Sequence, residues 1–146
     1  MLTTIRTVLM AMAAVFALGG TAMAADDADK APMQIDGATT VDAERIIEMF
    51  QSNDDLTIID SRKPGDYEAG HIETAINLVN TNTNADTLKQ HVASKDTPVL
   101  FYCNGVKCGR AADAVRKAVD VGYENIYYYA LGMAEWKDKG LPLVEE

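Results

Sequence analysis

Two thiols and two cations share one short stretch of this 146-residue chain, Val99 to Arg110, which reads VLFYCNGVKCGR. An apolar and aromatic run ends at Cys103, and a turn-rich loop, Asn104 to Gly109, follows it. From Arg110 the apolar residues Ala111, Ala114, Val115, Ala118 and Val119 recur on one helical face. The expected grammar is strand, loop, helix, with a cysteine where the strand stops. A loop feeding a helix start carries free N–H groups, here those of Asn104, Gly105, Val106 and Gly109, and the helix dipole adds partial positive charge. Such a place welcomes an anion and favours the thiolate form of a thiol. Lys107 and Arg110 act in the same sense, and Arg110 can grip an oxyanion with two parallel hydrogen bonds. The chemistry to expect is a thiolate at Cys103 acting on, or carrying, an anionic group.

Cys108 keeps a second possibility open. It lies five residues after Cys103, close enough to bridge across a curled loop. The pair can be a nucleophile with a resolving thiol, a reversible disulfide that locks the site when oxidised, or a plain structural disulfide. No metal site is expected, because the remaining donors would be His71 and His91, without recognised zinc spacing. No cofactor motif appears, and C-x-x-C-H for covalent haem is absent.

The rest of the chain must position that loop. Arg6 is the only charge before Asp26, Val8 to Leu18 is apolar, and Ala22-Met23-Ala24 has the A-x-A pattern, so residues 1–24 are expected to be a cleaved secretory signal peptide. Export to the periplasm and no membrane insertion after cleavage follow from that expectation. Residues 25–38 mix Asp, Ala, Lys and Pro without periodicity and are expected to form a flexible leader. The formal net charge of −9 argues against nucleic acid and anionic membrane as partners.

One domain is expected over residues 39–146. Thr39-Thr40 offer an N-cap to a helix whose apolar face is Ala43, Ile46, Ile47 and Phe50, ending near Ser52-Asn53. Leu56 to Ile59 reads as a buried strand ending at Asp60. Pro64-Gly65 marks a turn, Asp66 to Ala69 one helical turn, and Ala75 to Val79 a short strand. Thr81 to Ala85 is a polar loop before a weak helix through Leu88 and Val92. After the loop helix, Gly122 suits a C′ position. Ile126 to Ala130 is a last strand, and Ala134 to Lys139 a last helix. Strands alternating with helices point to an α/β fold with a parallel sheet covered on both faces, and in such sheets sites form at the carboxyl ends of strands.

Several segments in order resemble the rhodanese family, specifically its single-domain exported members. They are IIDSR (Ile58–Arg62), DYEAGHI (Asp66–Ile72), AINL, the Cys103 loop, and LGMAEWKDKGLPLV (Leu131–Val144). The resemblance implies a central parallel sheet of about five strands flanked by helices. It implies a thiosulfate sulfurtransferase-like activity in which Cys103 takes a sulfane sulfur from a small sulfur-containing anion, becomes a persulfide, and passes the sulfur to a thiol or cyanide. Arg110 matches the family's loop-closing arginine. The loop here is longer than the family's usual C-x-x-G-x-R, and the added length brings in Cys108. Asp60 and Arg62 are expected to form a supporting ion pair, and His71 to be a hydrogen-bonded structural histidine. Trp136 and Tyr127-Tyr128-Tyr129 are expected to be core and sheet faces.

Overall fold

The computed structural model describes residues 30–52 and 55–146. The expected signal peptide lies outside the described residues. Five strands form one parallel sheet in the order β1-β5-β4-β2-β3: β1 (Thr39–Thr40), β2 (Thr57–Asp60), β3 (Ile76–Asn77), β4 (Val99–Tyr102) and β5 (Ile126–Tyr129). The helices are α1 (Ala43–Ser52), α2 (Pro64–Glu68), α3 (Ala85–His91), α4 (Arg110–Asp120) and α5 (Gly132–Asp138), with one 3-10 turn at Asn80–Asn82. None of these helices is long and apolar enough to cross a membrane.

Alternation along the central strands divides the core in two. Ile59, Val99, Phe101, Ile126 and Tyr128 pack with α3 and α4, through Leu88, Ala111, Ala114, Val115 and Ala118. Ile58, Leu100, Tyr102 and Tyr129 face the other way, onto Ala43, Ile46 and Met49 of α1 and Met133 and Trp136 of α5. Successive strand residues point to opposite faces, so a sheet covered on both sides needs unbroken apolar runs, as in the fully buried β4. Burying a side chain of this size contributes about 1.5–3 kcal/mol. The α/β sandwich expected from strand–helix alternation is what the chain adopts.

Three expectations need correction. Thr39-Thr40 do not cap α1; they are the edge strand β1, paired with Tyr127 and Tyr128. The cap is Asp42, whose Oδ1 accepts from the Arg45 N–H at 2.9 Å. The buried face of α1 is Ala43, Ile46 and Met49, while Ile47 and Phe50 are left over a third exposed. Residues 31–38 are not a free leader. Ile35 is buried in the α4-side core, Ala31 is buried too, and the Ala31 N–H donates to the Val106 carbonyl at 2.6 Å. Two buried apolar side chains and hydrogen bonds from Ala31 to Val106 and from the Thr40 hydroxyl to the Met33 carbonyl dock it.

Gly122 does end α4 with φ +87, where its N–H donates to the Val119 carbonyl. The polar loop expected over Thr81 to Ala85 overlaps the 3-10 turn, after which Asn84 and Thr87 form a reciprocal cap on α3.

Candidate active site

β2 and β4 are neighbours, and the chain leaves them in opposite directions across the sheet: from β2 to β3 on one side, from β4 to β5 on the other. This is the reversal point at which open α/β sheets bind ligands. Asp60 ends β2 in register with Tyr102, which ends β4, and Cys103 follows directly.

Cys103 is buried, and its sulfur is bonded to that of Cys108, with the Cα atoms 6.1 Å apart. Of the states open to this pair, the structure shows the disulfide, so the thiolate expected at Cys103 is masked in it. The loop closes so tightly because its carbonyls are tied down. Met133 and Ala134, in the first turn of α5, donate their N–H groups to the carbonyls of Cys103 and Asn104, each at 2.9 Å. Cys108 donates to the Gly105 carbonyl at 2.9 Å, and Ala31 holds that of Val106. Among the described residues nothing accepts from the N–H groups of Gly105, Val106 or Lys107. The loop therefore keeps donors in reserve, as an anion site requires.

Gly132 makes this approach possible. Its φ is +56, and a Cβ there would stand 2.3 Å from the Cys103 carbonyl oxygen and 2.9 Å from the Gly105 nitrogen. Sequence reasoning passed over this glycine; its place in a Leu-Gly-Met turn just before a helix was the available signal.

A cavity of about 470 Å³ opens over the loop, lined by Asn104, Gly105, Val106, Lys107, Cys108, Arg110 and Ala134. Cys108 forms part of its wall. Arg110 is half-buried, and its Nη1 sits 3.5 Å from the Cys108 sulfur. Lys107 is exposed at the rim, and the Asn104 amide reaches Asp66 Oδ2 on α2 at 3.3 Å. Gly109 is exposed and immediately precedes α4. The structure thus gathers Asn104, Gly105, Val106, Lys107, Cys108 and Arg110 around one opening, while Cys103 and Gly109 are not among its lining residues. It joins the two thiols and leaves both cations beside them.

Asp60, Arg62 and His71 lie under the opposite face. Arg62 and Asp60 form a buried pair at 2.6 Å, with Arg62 Nε also donating to both carboxylate oxygens. Arg62 Nη2 donates on to the Gly70 carbonyl at 2.8 Å. Burial opposes the guanidinium charge, but hydrogen bonding and attraction to Asp60 outweigh it and hold Arg62 above its ordinary pKa. Tyr102 completes the network and was not singled out in the sequence. Its hydroxyl donates to Asp60 Oδ2 at 2.7 Å and accepts from the Ile72 N–H at 3.2 Å. Burial first, then the Asp60 charge, push the Tyr102 hydroxyl far above its ordinary pKa, so it stays a donor. The signal was present, since Tyr102 and Asp60 each close a strand. His71 is hydrogen-bonded, as expected: Nδ1 lies 3.0 Å from the Tyr67 carbonyl, the ring stacks on Tyr67 at 3.7 Å, and its backbone pairs with Val144. Among the described residues no group of three or more His, Cys, Asp or Glu side chains is placed to hold a metal ion.

A parallel five-stranded sheet with a cysteine loop at its reversal point defines a class, and comparison with known proteins agrees. Residues 42–139 match the rhodanese-like domain, and the chain belongs to that family. It is 40% identical over 91 residues to the HTH-type transcriptional regulator Rv0324 of Mycobacterium tuberculosis, covering 62% of this chain and 38% of that protein. It is 30% identical over 114 residues to the tRNA uridine(34) hydroxylase of Yersinia pestis, covering 69% of this chain and 30% of that one. The chain therefore spans about a third of each of these relatives. Among solved structures, the BH2092 protein of Bacillus halodurans superposes with a TM-score of 0.65 at 25% identity, over 74% of this chain and 77% of that one. The polysulfide-sulfur transferase homodimer of Wolinella succinogenes has the same fold, with a TM-score of 0.61 at 23% identity, over 75% and 80% of the two chains. Sulfur donors and thiophilic acceptors are the general currency of the family.

Proposed function

We propose that this chain, in its reduced form, is a sulfurtransferase that moves a sulfane sulfur from thiosulfate or a similar small anion to a thiol or cyanide. The carrier is a Cys103 persulfide. The observation that carries this reading is the loop itself: a strand-end cysteine whose neighbouring carbonyls are held by α5, leaving amides uncommitted beside Arg110 and Lys107. The Cys103 thiolate attacks the outer sulfur of the donor, and sulfite leaves. Donor amides and Arg110 favour the anionic persulfide as an oxyanion hole favours its oxygen. Two displacements at one sulfur replace a direct transfer between two anions.

The test is thiosulfate-dependent thiocyanate formation by the reduced protein. Wild type is expected to turn over and Cys103→Ala to fall to background; equal activity in both would sink the reading. The place of action under this proposal is the periplasm, supported by the signal-like residues 1–24 and by a disulfide suited to an oxidising compartment. Fractionation with N-terminal sequencing tests it, and a mature N-terminus at Ala25 is expected.

A further inference from the structure

Resting on the Cys103 persulfide above, we propose that Cys108 is a second catalytic residue: it expels the transferred sulfur as sulfide and closes the disulfide seen here, which an external dithiol then reopens. The protein is thereby a dithiol-driven, sulfide-releasing enzyme as well as a donor to cyanide or thiols.

Three observations converge. The two sulfurs are already in bonding contact within this fold, so a thiol at Cys108 reaches Cys103 without rearrangement of the sheet or α4. The guanidinium of Arg110, 3.5 Å from the Cys108 sulfur, favours the thiolate of Cys108 once the bond is open. Cys108 forms part of the cavity wall, so a thiol entering the cavity has Cys108 within its reach. Attack there leaves Cys103 as the departing thiolate, beside amides that favour its charge. An attacking group held this close acts at a high effective concentration, well above that of a dissolved acceptor.

Each step balances. The Cys103 thiolate takes the outer sulfur of thiosulfate, forming the S–S bond of the persulfide and releasing sulfite. The Cys108 thiol loses its proton and attacks the inner sulfur, that of Cys103. The Cys103–Cys108 bond forms, the bond to the outer sulfur breaks, and HS⁻ leaves. The sulfane sulfur gains two electrons and the two thiols lose them. An external dithiol then attacks Cys108, frees Cys103, and closes its own disulfide, restoring both protein thiols.

The experiment is a single turnover with fully reduced, desalted, anaerobic protein, one equivalent of thiosulfate and no other thiol. Wild type is expected to release sulfite and about one equivalent of sulfide, and to end about 2 Da lighter as the disulfide. Cys108→Ser is expected to release sulfite but to stop at the persulfide, about 32 Da heavier on the peptide containing Cys103, with sulfide release at least about tenfold slower. Wild type that keeps the persulfide and releases no sulfide, while still passing its sulfur to added cyanide, overturns this proposal and leaves the transferase reading standing. Failure of either protein to take up sulfur from thiosulfate or from inorganic polysulfide overturns both.

Discussion

Asp60 and Tyr102 close two adjacent strands in register, and Cys103 follows one step later on the other face of the sheet. The two faces treat the same strand ends in opposite ways. Beneath one, the Asp60 carboxylate is surrounded by donors from Arg62 and Tyr102, and Arg62 also engages Gly70. Water is excluded and the network is built to stay put. On the other, the loop has its carbonyls fixed and several N–H groups uncommitted, and its one covalent tie is a bond that thiols can exchange. A parallel sheet offers both positions wherever its winding reverses. The buried network and the exchangeable loop therefore start from adjacent positions at the same strand ends.

That contrast can be broken from either side. The largest effect is expected from Arg62→Ala, which strands a buried carboxylate: about 3–5 kcal/mol of stability lost, read by urea denaturation. Replacing Asp60 and Arg62 together by apolar residues should cost less than the single change, because no charge is left unpaired. Gly132→Ala comes next, at about 3 kcal/mol, because its Cβ meets the Cys103 carbonyl oxygen and the loop must move. Sulfur uptake should fall with it, measured as sulfite release by the reduced protein. Tyr102→Phe leaves the Ile72 N–H without an acceptor and should cost about 1.5 kcal/mol, with sulfite release much less affected. The smallest stability change, within about 0.5 kcal/mol, is expected for Arg110→Ala, yet KM for thiosulfate should rise about tenfold. A large loss of stability in Arg110→Ala with unchanged KM would erase the division between the two faces.

How much of this was legible in the sequence depended on how far apart the partners lie. The α4 face, the β4 run, the Gly122 terminus, the Asp60–Arg62 pair and His71 rest on spacings of a few residues, which periodicity and local motifs record. Thr39 and Thr40 looked like a cap because β-branched residues with hydroxyls serve both roles, and only the pairing with Tyr127 and Tyr128 makes them a strand. Ile35 looked like part of a leader because its partners on α4 and β5 lie far along the chain.

From its order of residues alone, this protein was committed to an α/β sheet, to a strand-end cysteine before a helix, and to a second thiol within bridging reach, because each follows from local period or short spacing. Tertiary structure decided the strand order, the meeting of Tyr102 with Asp60, the hold of α5 on the Cys103 and Asn104 carbonyls, and the place of Cys108 in the cavity wall. Those contacts join residues distant in sequence. They exist only once the packing of both sheet faces has repaid the entropy of bringing such segments together.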